Sequence, residues 1–151
     1  MAQAAGETIH ASAVLTGNRA ALIRGPAGSG KSRLALGLIE AAQSGVVPFA
    51  RLVADDRVRL ITAHGRLIAA APDSIRGLVE VRGLGLRRLA CEPRAVVGLV
   101  IDLAAPDGSR MPEATARETT ILAVRLPRIA VGAGEEPLPL VLGMLSTLAG
   151  T

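Results

Sequence analysis

An α/β fold with a mixed sheet, flanking helices and a phosphate-binding loop is predicted by three observations. The stretch Gly25-Pro26-Ala27-Gly28-Ser29-Gly30-Lys31-Ser32 fits the pattern G-x-x-x-x-G-K-[ST] at each fixed position. It stands between a run of strand length, Ala20-Ala21-Leu22-Ile23, and a segment carrying Leu34, Ala35, Leu36, Leu38, Ile39, Ala41 and Ala42, which reads as a helix apolar around most of its circumference. Turn clusters between further strand candidates read as hairpins, which favours mixed over all-parallel pairing.

The elements follow in order. Glu7 to Leu15 reads as one strand, and Thr16-Gly17-Asn18-Arg19 turns it back as a hairpin into the strand that feeds the loop. Gln43-Ser44-Gly45 is a glycine stop for the helix, after which Pro48 to Ala54 returns as a short strand ending in Asp55-Asp56. Val58–Thr62 and Arg66–Ala71 form a hairpin around Ala63-His64-Gly65, with His64 exposed at its tip. The stretch from Leu78 to Arg82 alternates faces before Gly83 and Gly85 loosen the backbone. Ala95–Leu103 is a buried strand whose Asp102 resembles the acid of a Walker B strand but is expected to face solvent. Thr119–Leu126 is a last strand, and Pro137 to Leu148 a terminal helix with Gly143 as a weak point.

At 151 residues the whole chain, 1–151, is expected to be one domain with residues 1–6 disordered. Half of it is hydrophobic, yet no apolar run approaches the ~18 residues that span a bilayer. Met1 to Glu7 has no export signal, so a cytoplasmic protein without membrane attachment is expected. A lone cysteine, Cys91, excludes an internal disulfide framework, and with two separate histidines leaves no thiolate metal cluster. The net charge of +4 rests on arginine, Lys31 being the one lysine. That balance suits a phosphate ligand or an acidic partner. Phe49 is the one aromatic, so bases have no stacking platform and no nucleic-acid partner is expected.

The chemistry of the loop follows from its residue types. Gly28 and Gly30 allow backbone conformations in which successive N–H groups curl around phosphate oxygens. Lys31 adds a point charge, Ser32 a hydroxyl for Mg²⁺, and the following helix directs its positive end at the same anion. Asp55 and Asp56 stand at a strand end, where sheets of this kind bring catalytic groups. Neighbours on a strand point to opposite sides, so one of the pair faces the phosphate, taking a proton from an attacking hydroxyl while the other helps hold the metal. Glu80 offers a further carboxylate for Mg²⁺.

Three blocks together, the phosphate loop, Val53-Ala54-Asp55-Asp56-Arg57-Val58 and Glu80-Val81-Arg82-Gly83-Leu84-Gly85, resemble the catalytic domain of HPr kinase/phosphorylase. The first is preceded in that family by a histidine near the place of His10, and the third resembles its E-x-R-G-L-G signature. The resemblance covers residues 8–129 and implies the catalytic domain alone, without the family's N-terminal domain, on a fold whose nucleotide site is similar to that of phosphoenolpyruvate carboxykinase. It implies an ATP- and Mg²⁺-dependent kinase acting on a serine of the phosphocarrier HPr, within a family that tends to form hexamers. By position it makes Asp55 the catalytic base with His10 nearby, gives Gly25, Pro26, Ala27, Gly28, Ser29, Gly30, Lys31 and Ser32 to the nucleotide, Ser32, Asp56 and Glu80 to Mg²⁺, and Arg82, Gly83, Leu84 and Gly85 to the protein substrate. Two differences bear on the reverse, phosphate-consuming reaction. Ala27 stands where many members have serine, and residues 130–136 are short and acidic where the family has a basic segment. A kinase with reduced or absent phosphorylase activity is therefore expected, with a nucleotide-binding regulatory module or a small-molecule kinase as alternatives.

Overall fold

The computed structural model describes residues 6–109 and 111–146. Strand β1 (Gly6–His10), β2 (Ser12–Thr16) and β3 (Arg19–Arg24) precede the phosphate loop, and α1 (Lys31–Gln43) follows it. Then come β4 (Ala50–Ala54), β5 (Arg57–Ala63), β6 (Arg66–Ala70), β7 (Leu78–Val81), β8 (Gly85–Arg88), β9 (Ala95–Asp102), β10 (Glu118–Ile121), β11 (Val124–Ala130) and α2 (Pro137–Ser146). Nine of the strands form one mixed sheet in the order β1-β5-β6-β9-β3-β2-β4, with β11 added beside β9 and β10 beside β11, while β7 and β8 pair as a separate hairpin. The mixed α/β architecture is the one expected. Of the residues expected to be disordered, Gly6 opens β1, and 1–5 lie outside the described residues.

The core lies on both faces of the central strands. Along β3, Ala20 and Leu22 point into one layer and Ala21 and Ile23 into the other, the period of two that a buried strand imposes. The first layer is closed by Val58, Leu60, Leu67 and Ala69 of the β5–β6 hairpin and by Ile121 and Leu126, so the sheet curls over itself. The second is closed by Leu34, Ala35 and Leu38 of α1 and Val141 of α2. Leu22, Ile23 and Leu38 are fully buried, each contributing about 1.5–3 kcal/mol of burial.

Helix α1 has a bare start and a closed end. Gly30 precedes it at φ 99° with no side-chain cap, and no acid lies in its first turn. Its free N–H groups are therefore left to face the loop. At the other end Gly45 takes φ 79°. Val46 N–H then bonds Ala41 O at 2.8 Å and Gly45 N–H bonds Ala42 O at 3.1 Å, the paired closure of a left-handed C-terminal cap.

Two strand boundaries depart from expectation. The segment Glu7 to Leu15 is two strands, broken at Ala11, whose N–H bonds Asp56 O at 3.2 Å instead of continuing a ladder. Thr119–Leu126 is not one strand but a tight hairpin, turning at Leu122 and Ala123 with φ 48° and 66°. Its turn residues are apolar, which hides the turn in the pattern; Leu122 packs against the first core layer. Pro127 sits inside β11, opposite Glu118 of the edge strand β10. Of the terminal helix, residues to Ser146 are described, and Leu148 lies outside them. No helix among the described residues is long and apolar enough to cross a membrane.

Candidate active site

Strand β2 is the centre of the site because it separates the strands that carry the two halves. On one side it pairs with β3, Ser12 opposite Ile23, just before the loop; on the other it pairs with β4, Ala13 opposite Ala54, just before the acidic pair. The loop and Asp55 are thereby fixed to the two strands that flank β2 in one sheet.

Within the loop, Gly28 and Gly30 have φ of 79° and 99°, and a Cβ at either would meet nothing within 4 Å. Glycine is needed there for conformation, and the concave side is open. Gly25 is needed for space, since a Cβ would lie 2.5 Å from Ser29 Oγ. That hydroxyl is buried with no hydrogen-bond partner among the described residues. Lys31 Nζ reaches back across the loop to donate to Gly25 O at 2.8 Å and Pro26 O at 3.1 Å. A cavity of about 250 Å³ flanks the loop, between Gly28 and Ser29, a floor of Leu103 and Val131, and the turn Gly132–Glu135.

Asp55, 4% exposed, sits at the loop's far end. Its carboxylate accepts from Ser32 Oγ at 2.8 and 2.9 Å, and Oδ1 also accepts from Ser12 Oγ at 2.6 Å. Asp56 turns outward, exposed, at φ 69°. The chain reversal at Asp56 is fixed by Arg57 N–H on Asp55 O at 2.8 Å. Of the two aspartates, then, it is Asp55 that faces the loop.

The other candidate residues are spread around this centre. His10 is exposed on β1, paired by backbone with Arg57, so it lies beside the turn that carries Asp56. Glu80 is exposed on β7. Neither side chain is hydrogen-bonded to Ser32 or Asp55. Arg82, Gly83, Leu84 and Gly85 form the exposed turn of the β7–β8 hairpin, whose β7 strand lies against α1. Leu84 and Leu86 are each 69% exposed there. The described residues contain no group of three or more His, Cys, Asp or Glu arranged to hold a metal.

Asp102 does not face solvent as expected. Standing at the end of β9, its side chain is 15% exposed and is clamped by two arginines. Arg24, the residue before Gly25, grips it with Nε on Oδ1 at 2.7 Å and Nη2 on Oδ2 at 2.9 Å. Arg128 of β11 adds Nε on Oδ2 at 2.5 Å and reaches Asp107 through both terminal nitrogens at 2.7 and 3.0 Å. Burial pushes the Asp102 carboxyl up, but the hydrogen bonds and charges of Arg24 and Arg128 outweigh it and hold it below the ordinary value. The hydrogen bonds that Arg128 donates to Asp107 first, against burial, and then to Asp102 raise its guanidinium above the usual value.

Ser12 and this arginine clamp are the site features that the sequence did not disclose. For Ser12 the available signal is a lone hydroxyl in the otherwise apolar run Ala11–Leu15; for the clamp there is none short of knowing which strands pair.

Comparison with known proteins places the arrangement. The model of the HPr Serine kinase C-terminal domain matches residues 2–133. The HPr kinase/phosphorylase of Geobacillus thermodenitrificans is 35% identical over 121 residues, 73% of this chain and 37% of that protein. The one from Lactobacillus acidophilus is 34% identical over 104 residues, 64% of this chain and 30% of that protein. The chain thus spans about a third of the length of these relatives. Among solved structures, the Hpr(Ser) kinase/phosphatase from Coxiella burnetii superposes with a TM-score of 0.72 at 28% identity, covering 93% of each chain. By the extent of the family match and the shared fold, the chain belongs to the HPr serine kinase C-terminal domain family.

Proposed function

We propose that this chain is an ATP-dependent protein kinase that transfers the γ-phosphoryl group to a serine of HPr, the phosphocarrier of a bacterial phosphotransferase system. The observation that carries the reading is the buried Asp55 carboxylate hydrogen-bonded to Ser32 of the phosphate loop. A base and a phosphate cradle held on the two strands that flank β2 are what in-line transfer to a hydroxyl needs.

The residues fit ATP and Mg²⁺. The open concavity at Gly28 and Gly30, the unpartnered Ser29 hydroxyl and the bare start of α1 suit a polyphosphate. Ser32 supplies a hydroxyl at the loop, and the Asp56 and Glu80 carboxylates, both exposed, would complete the set; all three are hard oxygens. So sparse a set suits Mg²⁺, which keeps much of its shell as water and phosphate. When bound, Mg²⁺ neutralises charge on the transferred group. The chain's own residues do the rest. Backbone N–H groups and Lys31 hold the phosphates, and Asp55 takes the proton from the attacking serine hydroxyl. His10 lies beside the acidic turn, and Arg82, Gly83, Leu84 and Gly85 offer the protein substrate an exposed wall.

The reverse reaction is reduced in this reading. Ala27 supplies no hydroxyl to the loop, and Glu135 stands on the cavity wall beside Gly28 and Ser29, where its charge repels inorganic phosphate. The test is transfer from γ-labelled ATP with Mg²⁺ to HPr, with a serine-to-alanine HPr as control. Label on the wild-type carrier alone supports the kinase; ATP binding without label supports a regulatory nucleotide-binding module instead. Pyrophosphate release from phospho-HPr and phosphate as fast as the forward reaction would overturn the loss of phosphorylase activity.

A further inference from the structure

We propose that Ser12 is a positioning residue for the catalytic carboxylate, pinning Asp55 Oδ1 so that Oδ2 is the oxygen that receives the proton from the protein substrate. The inference rests on the kinase reading above and adds to it a residue from outside the loop and the acidic pair.

Ser12 is 0% exposed, and it and Asp55 are the buried polar residues among those described. Its Oγ donates to Oδ1 at 2.6 Å across 43 residues of sequence. Each side of this contact is fixed by a ladder. The register Ala13 with Ala54 sets where β4 ends and Asp55 begins, and Ser12 with Ile23 sets β2 against the strand feeding the loop. A buried hydroxyl at that junction has its donor satisfied by this carboxylate, and an alanine would leave Oδ1 short of a partner.

The two serines that meet Asp55 have different freedom. Ser32 lies in the first turn of α1, and its Oγ is equidistant within 0.1 Å from the two oxygens, at 2.8 and 2.9 Å. It carries one proton, so it serves one oxygen at a time, and as a metal ligand it would turn that proton elsewhere. Ser12 is on a sealed strand and reaches Oδ1 alone. Were Ser32 to hold Mg²⁺, the Ser12 bond would be what keeps the carboxylate plane from rotating, and Oδ2 would be the oxygen left without a donor. A small rotation of the base out of line costs transfer rate without touching the nucleotide cradle.

The experiment compares the whole chain with Ser12→Ala and Ser12→Thr, measuring steady-state transfer to HPr, ATP affinity and melting temperature. The Ser12→Ala variant is expected to lose about tenfold to a hundredfold in kcat, with KM for ATP changed less than about twofold, and Ser12→Thr, which keeps the hydroxyl, to restore most of it. In an Asp55→Asn background, followed by single-turnover labelling, Ser12→Ala should have no further effect, because it acts through the carboxylate. That cycle decides the matter if the threonine variant does not fold. Undiminished kcat in Ser12→Ala, equal losses in kcat and ATP affinity, or an additive loss in the Asp55→Asn background would each overturn the proposal. Absence of transfer by the wild-type chain would overturn the functional reading and this inference together, whereas a transferring wild type with an unaffected Ser12→Ala overturns this inference alone.

Discussion

Replacing Asp102 by asparagine keeps the shape of the side chain and removes the charge on which Arg24 and Arg128 converge. The cost follows from what each arginine keeps. Arg24 loses a two-pronged ion pair, but its side chain is 31% exposed, so water recovers part of the loss. Arg128 is 12% exposed yet retains both bonds to Asp107 and one to Ala116 O at 3.0 Å. Exposed pairs are worth about 0–1 kcal/mol and breaking a buried one costs about 3–5, so a clamp half-way between should cost about 2–3 kcal/mol. For a domain of this size that is a fall in Tm of about 4–12 °C. The effect also has a pH signature. The Asp102 pKa is lowered in the folded state, so its contribution is complete above the unfolded value near 3.8 and is lost as pH falls through the lower folded one. Thermal melts of wild type and Asp102→Asn should therefore differ most near neutrality and converge in acid below about pH 4. A deficit under about 2 °C at neutral pH, or one that stays constant into acid, would refute the argument.

Other substitutions probe separate links. Asp55→Asn should lower phosphoryl transfer by about a hundredfold to ten-thousandfold while ATP binding, read by calorimetry, changes only a few-fold. At Gly30, alanine meets no neighbour but must adopt φ 99°, a strain of about 1–3 kcal/mol that should weaken ATP binding about tenfold or more. Gly17→Ala, at φ 68° in the β2–β3 turn, carries similar strain and should leave ATP affinity unchanged by fluorescence titration. Ala123 is exposed at φ 66°, so Ala123→Gly should stabilise by up to about 1 kcal/mol in denaturant melts. Leu38→Ala removes a fully buried side chain under α1 and should cost about 2–5 kcal/mol by the same assay.

What the chain discloses before folding divides along the range of the interactions. The phosphate loop was readable because each of its requirements, glycines at positive φ, a lysine, a hydroxyl and a bare helix start, is met by residues within a few positions of one another. The acidic pair was readable as a pair whose members point to opposite sides, and the structure turns one of them toward the loop. Which one could be settled only by the turn at Asp56, whose φ of 69° rotates it outward and leaves Asp55 against Ser32. Ser12 escaped notice because a serine on a strand has no pattern of its own; its meaning comes from a carboxylate 43 positions away. The same holds for Asp102, which looked like a strand-end acid in solvent until β3, β9 and β11 aligned in parallel and placed Arg24 and Arg128 beside it. The β10–β11 turn was missed for the opposite reason, a local signal that misleads, since Leu122 and Ala123 are poor residues for positive φ and continue the apolar run.

Lys31 has a consequence beyond the role proposed for it. It is the one lysine in the chain, and its amine is spanned across the loop between Gly25 O and Pro26 O. Amine-directed chemistry therefore has a single side-chain target here, and that target lies in the glycine-rich loop itself. Apart from the α-amine of the chain, an acylating or reductive-methylating reagent then has Lys31 as its one target; the rate at that residue, followed by peptide mass, reads how tightly the loop holds the ammonium, and protection by a ligand reports occupancy without any engineered label. In most proteins such a reagent decorates many side chains; in this one every modified side chain is the same side chain.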